Sequence, residues 1–590
     1  MRRSHGARQR AIPRTNIQET TLLNRSIRLR RAVRYLVMVP AVCGLSSVTW
    51  AQSIPLPAPT AGSVLREIQA QPAASSQDLG APNLIIPKAE QTTAAGGPKI
   101  DVRQYQLKGE SAADAQSLQP LLAPFVGAGK TLADLEAAAK AVETELRHRG
   151  RFLAQVIVPA QRMVDGVVEL QVFEGRLGEV SIDVQPDANI SRSLVDSTVE
   201  PLRGNPPIER DLIDGALLRL GDLRGIAVHS VLKPGDEPGI ADLAIDINRG
   251  RRYATEFEYD NGGSVYTGRD RFYANLDVFD LAGRGDVASL QAQASTGTRY
   301  IQGSWLVPVN GLGTRIGPVA GWLDYELGTP QFEPLDARGN AYWFALQLQQ
   351  PLIRSQDHNL YLQASLGERR FEDEVRALGI DSHKSVDGYG SIGLAGQVRD
   401  SYRGLNNYSF SVASGKLGFD DAADAAFDAQ SYRTAGRYTL YSVALSRLQT
   451  ITSRDSLLLA TQAQLPSRNL DSSEKFTLGG MSAVRGYPAT DSPSDQAITL
   501  TWEYRRLLGF ALDGRWSASL FGDYGFGRLH DEPLPTDPDN TRDIHSHGIG
   551  LDYGSDMGLS IRGFVAWRGN EPAQTDDRSA RLFVQASMAF

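Results

Sequence analysis

From residue 251 to residue 590 the chain alternates apolar and polar side chains with a period of two, broken by turns of Gly, Asp, Asn and Pro. No other feature constrains the fold as much, because successive side chains of a strand point to opposite faces. Phe272, Ala274, Leu276 and Val278 alternate with Tyr273, Asn275 and Asp277. Leu360, Leu362, Ala364 and Leu366 alternate with Gln363 and Ser365, and Leu457, Leu459, Ala463 and Leu465 with Gln462 and Gln464. A soluble sandwich would bury the apolar face. A membrane barrel turns it outward to lipid and encloses water. Alternation alone does not choose between them. Allowing about 20 residues for each strand and turn, this span gives about 16 strands. In lipid they must close, since an open edge has no water to satisfy it.

The two ends of the chain favour the barrel. Arg28, Arg30, Arg31 and Arg34 precede a short apolar run at 35–45, and Thr49-Trp50-Ala51 comes next as a small-x-small site. This reads as a secretory signal over 1–51 with an extended leader, too short in its apolar part to span a bilayer. The single cysteine, Cys43, falls inside it. The mature chain is then expected to lack cysteine, which suits an oxidising compartment and a fold stabilised by sheet closure. At the other end Leu582, Val584, Ala586, Met588 and Phe590 share one face, and the last residue is aromatic. Such a strand is expected to be the signal for insertion into the outer membrane. After the leader no run of about 18 apolar residues offers a membrane helix. The net charge of -7 argues against a nucleic-acid partner.

Residues 52–100 are rich in Pro, Ala, Gln and Ser and read as a linker. It carries one amphipathic island near 61–72, with Ser63 as a candidate cap and Val64, Leu65 and Ile68 on one helical face. Residues 101–175 and 176–250 then read as two modules with the same order: strand, helix, helix, strand, strand. In the first, the strands are expected at 102–107, 152–158 and 167–173. A first helix is placed within 112–122. Leu132, Leu135, Ala139, Val142 and Leu146 form the stripe of the second, which Gly150 ends. In the second module, strands are expected at 177–184, 226–232 and 240–247, and helices at 190–199 and 207–220.

Catalytic and metal motifs are weak. Gly127-Ala128-Gly129-Lys130-Thr131 looks like the end of a phosphate-binding loop, but the Gly required five positions before Gly129 is Pro124. Residues 127–130 are therefore expected to be a loop and Thr131 a helix N-cap. Gly480-Met481-Ser482-Ala483-Val484 fails the nucleophile-elbow pattern at its last position. His545 and His547 have no third ligand in view. No catalytic residue, cofactor or metal is expected.

The strongest constellation is Gly479-Gly480-Met481-Ser482-Ala483-Val484-Arg485-Gly486-Tyr487, lying between two alternating strands. Phe521, Asp523 and Gly525 come later, on one face of another strand. A lumen-facing carboxylate is a natural partner for a guanidinium on an inserted loop. An exposed pair of this kind contributes ~0–1 kcal/mol, and a well-buried one matters more.

These residues resemble a known superfamily, the one that includes the barrel-assembly insertase and the two-partner secretion transporters of hemolysin-activator type. Val484-Arg485-Gly486-Tyr487 matches its inward-folded loop, and Phe521-x-Asp523-x-Gly525 its partner motif on the barrel wall. The resemblance implies that Arg485 meets Asp523 inside the lumen. The two modules resemble its POTRA domains. Val156-x-x-Pro159-x-Gln161 and the run Val-Glu-Leu-x-Val-Phe-Glu-Gly from Val168 resemble the first module of the hemolysin activators, and the island at 62–69 resembles their plug helix. The fold so implied is a transmembrane antiparallel β-barrel of about 16 strands over 251–590, preceded by two periplasmic POTRA domains and a plug helix. The function implied is an outer-membrane pore that captures an unfolded exoprotein, such as an adhesin, hemolysin or contact-inhibition toxin, and passes it outward. Barrel-assembly machinery, periplasmic chaperones and outer-membrane lipid are the other implied partners. The rival function is an insertase for other barrels, whose members carry more or different POTRA domains and no plug helix.

Overall fold

The computed structural model describes residues 59–69, 84–85 and 99–590, apart from 110–114, 152–153, 174, 205, 207–209, 238 and 538. The expected signal segment lies outside these residues. The first element is α1 (Ala61–Gln69), and the two-residue strand β1 (Leu84–Ile85) comes second. The first module then holds, in order, β2 (Ile100–Val102), β3 (Gln104–Gly109), α2 (Ala115–Leu122), β4 (Gly127–Lys130), α3 (Leu132–His148), β5 (Gln155–Ile157) and β6 (Val167–Phe173). β3 runs parallel to β6, and β5 antiparallel to it. The second module holds β7 (Arg176–Val184), α4 (Arg192–Val199), α5 (Arg210–Gly221), β8 (Ile226–Pro234) and β9 (Ile240–Arg249), with sheet order β1-β8-β9-β7.

The local chemistry explains these boundaries. Thr131 caps α3: its hydroxyl accepts from the Asp134 backbone N–H, and the Asp134 carboxylate accepts from the Thr131 backbone, a reciprocal capping box. The two Thr131 donors, backbone first and then hydroxyl, hold the Asp134 carboxyl below the usual carboxylate range. Gly150, at φ +95°, ends the helix, with its N–H and that of Arg151 returned to the carbonyls of Arg147 and Leu146. Leu135, Ala139, Val142 and Leu146 are buried against the sheet as their spacing requires, but Leu132 in the first turn stays 41% exposed, and Ala138 joins the buried stripe. A second expectation also fails. Residues 127–130 form strand β4, paired antiparallel with β2, and not a loop. The short β-branched strand β2 offers a bare edge, and the Gly129 N–H is further tied to the Asp101 carboxylate at 2.9 Å.

Beyond residue 250 sixteen antiparallel strands close into one barrel. Its outer face carries Phe272, Leu290, Phe344, Leu366, Leu459, Leu465 and Leu582, each exposed, while Gln293 and Gln464 are buried inside. The apolar face therefore points outward, as a lipid-facing wall requires. Among the described residues no helix is long and apolar enough to cross a membrane. Strand length is uneven round the wall. Tyr253–Asp260, Arg271–Phe279 and Val287–Ala294 have 8, 9 and 8 residues, whereas Ala337–Arg354, His358–Val375 and Ile380–Arg399 have 18, 18 and 20. Closure is made where Glu256–Asp260 meets Gln585–Ala589, a ladder of five partners. Phe590 lies just beyond, its backbone N–H on the Thr255 carbonyl and its ring edge-on to Phe257.

The second module is tied to barrel turns. Asp222 accepts both Nε and Nη2 of Arg354, at 2.9 and 2.8 Å. Asp214 accepts from Gln356, and the backbone N–H groups of Ser191 and Arg224 donate to the carbonyls of Gly283 and Gly285.

Candidate functional site in the barrel lumen

Between the barrel strands Asp455–Pro466 and Gln496–Ala511 the chain folds inward as a long loop. Phe476–Thr477 pairs with Pro493–Ser494 at its neck. At its tip the Val484 N–H returns to the Leu478 carbonyl, closing a wider loop, and the Tyr487 N–H to that of Val484, so the motif residues 484–487 sit in a tight turn. Val484 and Tyr487 are fully buried, in a cluster with Leu478, Ala497 and Ile544, and the Tyr487 hydroxyl donates to the Glu571 carbonyl at 2.9 Å. Gly486 faces the wall so closely that a Cβ there would stand 2.7 Å from that of Ser546. Its carbonyl accepts from Arg581 Nε at 3.1 Å.

Arg485 is the centre of this arrangement. Its Nε and Nη2 reach Asp523 Oδ2 and Oδ1 at 3.0 and 2.8 Å, a bidentate contact, while Nη1 reaches Glu503 Oε2 at 2.6 Å. The guanidinium carbon lies 3.4 Å above the centre of the Phe521 ring. Asp523 accepts in addition from the Arg485 backbone N–H, Thr501 and Ser546, at 3.1, 3.1 and 2.9 Å. Gly525 completes the wall motif by leaving room for Val484, whose Cγ2 would be 2.8 Å from a Cβ at 525. The alternating wall motif thus supplies a ring beneath the cation, an anion beside it, and space for the neighbouring side chain. Arg485 and Asp523 are each only 4% exposed, so the pair is a buried one and falls outside the energetics of an exposed lumen contact.

Glu503 was not apparent from the sequence motifs. It also accepts from Arg562 and Arg505, at 2.8 and 2.7 Å, and Arg562 lies 3.2 Å from Asp552. Three guanidinium groups therefore face three carboxylates. Thr499, Thr501, Glu503 and Arg505 alternate with outward-facing Ile498, Leu500 and Trp502, which marks Glu503 as inward. That it stands beside Phe521 depends on the strand register.

The other occupant of the lumen is α1. Val64 and Leu65 are buried in the barrel among Tyr325, Trp343, Phe371 and Leu440, with Ile68 partly buried beside them. The cap is Thr60 and not Ser63: the Ser63 N–H approaches Thr60 Oγ1 and the Thr60 N–H donates to Ser63 Oγ at 2.9 Å, which places Ser63 within the first turn. Polar ties surround the helix. The Ala61 N–H donates to Asp373 at 2.6 Å, Arg66 donates to Gln464 at 3.1 Å, and Glu67 faces Arg271 at 3.6 Å. A cavity of about 700 Å³, lined by Glu67, Arg271, Gln302, Arg485, Glu503 and Arg562, lies between the C-terminal end of α1 and the tip of the loop, whose base touches the start of the helix through Thr60 and Ser472, 2.6 Å apart. His545 and His547, by contrast, lie on the outward face, His547 stacked with Trp567. Among the described residues no group of three or more acidic, histidine or cysteine side chains is placed to hold a metal ion.

The model of the haemolysin secretion/activation proteins ShlB/FhaC/HecB matches residues 239–551, more than half of the chain. The chain belongs to this family. The model of the ShlB-type POTRA domain matches residues 100–175 of the same transporter. It is 27% identical over 537 residues to the heme/hemopexin transporter protein HuxB of Haemophilus influenzae, covering 89% of this chain and 94% of HuxB. Among solved structures it resembles CdiB from Escherichia coli, with a TM-score of 0.62 at 19% identity over 85% of this chain and 93% of that one. It also resembles BamA from Haemophilus ducreyi lacking POTRA domains 1–3, with a TM-score of 0.53 at 14% identity over 83% and 100% of the two chains. Those two likenesses bear on the fold. Family membership makes this transporter an outer-membrane pore of two-partner secretion, with its α/β modules in the periplasm.

Proposed function

We propose that the transporter captures an unfolded partner polypeptide in the periplasm through its first module and passes it through the lumen once α1 has left. The observation that carries this reading is the position of α1: a nine-residue helix, attached by a linker, fills the barrel beside a loop that is pinned to the wall. A permanent lining would be part of the wall, whereas a tethered helix is a removable stopper. The cargo is a large secreted protein of the adhesin, hemolysin or toxin kind. With no nucleotide at hand, folding of the cargo outside supplies direction. During its own assembly the transporter presents the Ala580–Ala589 strand and Phe590 to the barrel-assembly machinery, after escort by periplasmic chaperones. The insertase reading is disfavoured by the helix in the lumen and by a front end of only two described modules.

The test is secretion of the exoprotein encoded beside this gene, in cells carrying the full transporter or one lacking residues 100–175. Loss of secretion with the barrel still folded in the membrane is the expected result. Undiminished secretion without the first module would refute the assignment of capture to it.

A further inference from the structure

The outer wall of the barrel carries a diagonal groove. Across six neighbouring strands, from Gly404–Phe419 to Thr541–Ser555, Asn406, Arg447, Leu459, Trp502, Gly522 and His547 stand in one row of directly opposed residues. Leu445, Thr461 and Leu500 belong to the next row. Leu445, Leu459, Leu500 and Trp502 are all exposed, so both rows face lipid. The groove between them has a volume of about 890 Å³. Two small positions keep it deep. Thr461 stands between Leu445 and Leu500 with the shorter side chain, and Gly522 lets the Trp502 indole lie against the wall, since a Cβ at 522 would stand 2.5 Å from its Nε1. His547, stacked on Trp567, lies at one end.

Arg447 lies near the other end. It is three residues from Thr450, where its strand reaches the periplasmic side. Asp400, Asn406 and Gln449 hold the guanidinium in place, yet its side chain remains 33% exposed. Asp400 also accepts from the Tyr402 and Gly404 N–H groups and from Asn406, so its charge is shared among several donors. An ionised side chain on a lipid-facing surface is costly unless it meets a polar partner, and a fixed guanidinium fork suits phosphate. The dimensions fit one leaflet. Six strands about 4.8 Å apart make a row about 24 Å long, which climbs about 15 Å when the strands tilt by about 40°. Half of a hydrocarbon core of roughly 30 Å is the same height.

We propose that this groove docks one glycerophospholipid of the periplasmic leaflet, with its phosphate on Arg447 and one acyl chain laid along the row as far as Gly522. The groove continues the lipid-facing wall, and its cation stands at the membrane boundary where a headgroup lies. On the lumen side of the same two strands Thr501 and Asp523, the neighbours of Trp502 and Gly522, belong to the site that holds Arg485. The docked chain therefore covers the outside of the wall segment that carries the lock.

The experiment uses the purified full chain, stripped of lipid in detergent. The probe is palmitoyl-oleoyl-phosphatidylethanolamine, and native mass spectrometry reads the fraction of protein that retains one lipid. Each variant is measured in its folded, heat-modifiable form. Arg447→Gln should weaken retention about tenfold through loss of a charge-assisted contact. Thr461→Trp, which fills the groove and leaves Arg447 intact, should weaken it to a similar extent. Leu582→Trp, on the outward face of a strand outside the groove, should retain lipid as the wild type does. Dioleoylglycerol, which has two acyl chains but no phosphate, should be retained about tenfold less than the phospholipid. Retention undiminished by Thr461→Trp or by Arg447→Gln would overturn the proposal. So would equal retention of dioleoylglycerol, or preference for lipid A, the phosphorylated glycolipid of the opposite leaflet.

Discussion

Replacing Arg485 by alanine should unseat the lumen loop while leaving the barrel folded. The substitution removes two charge-assisted bonds to Asp523, one to Glu503 and the stack on Phe521. The consequences for the two carboxylates differ. Glu503 keeps Arg505 and Arg562, whereas Asp523 keeps only neutral donors, Thr501, Ser546 and a backbone N–H. Removing one partner of a buried pair costs about 3–5 kcal/mol, which at about 1.4 kcal/mol per decade shifts the seated loop by roughly two to three and a half orders of magnitude. The sixteen-strand wall does not depend on the loop for closure, so heat-modifiable mobility on gels should persist. Secretion of the partner should fall at least tenfold, and protease should cut near 484–487. The asymmetry between the carboxylates gives a sharper outcome. Asp523→Asn, which removes the stranded charge, should partly restore the Arg485→Ala variant, whereas Glu503→Gln should not. Arg485→Lys should fail substantially, because an ammonium cannot reproduce the planar fork. The Arg485→Ala/Asp523→Ala pair should be little worse than either single change. Additive defects, or equal rescue by Glu503→Gln, would refute the reasoning.

Three other perturbations test separate contacts. Deleting residues 59–69 should raise ion conductance in planar bilayers without changing heat-modifiable folding; unchanged conductance would mean that α1 does not obstruct the pore. Arg354→Ala should release the second module from its barrel turn, because Asp222 loses a bidentate partner, and faster amide exchange at 220–225 would report it. In the first module Thr131→Ala should cost about 1 kcal/mol through loss of the cap, read as a lower melting temperature. The Asp134 carboxyl is held below its ordinary value by the Thr131 donors. Its contribution is therefore present above the unfolded-state value near 4 and is lost as pH falls through the folded one. Wild type should thus lose stability on acidification below about pH 4, and Asp134→Asn should lose less over the same interval.

Much of the wall was legible because a strand's two faces differ in every other residue, and Phe272 or Gln464 declares its side without help from the rest of the chain. The tip of the loop was legible for another reason: Arg485 next to glycine implies a side chain projecting from backbone pressed against something. What the sequence could not show is contact between segments set by register or docking. Glu503 was visibly inward, but its place beside Arg485 needs the pairing of two strands. Asp373 meets the Ala61 N–H across 312 positions. Leu84 and Ile85 lie in a stretch whose composition reads as linker, and only the neighbouring edge of β8 gives them a partner. The burial of the Arg485 pair was likewise hidden, since an aromatic floor and three neutral donors were needed to exclude water.

The uneven height of the wall bears on the bilayer itself. An eight-residue strand at ~3.4 Å per residue, tilted by about 40°, rises only about 20 Å. An eighteen-residue strand rises about 47 Å by the same measure. The apolar band of such barrels is about 25 Å tall, so the long strands carry their part of the wall well clear of the lipid while the three short ones fall short of it. The short flank adjoins the five-partner closure of Tyr253–Asp260 on Ala580–Ala589. Lipid there must thin to meet the protein. This barrel therefore sits in a lopsided membrane, with its thinnest annulus against the ladder that has the fewest rungs to hold it shut.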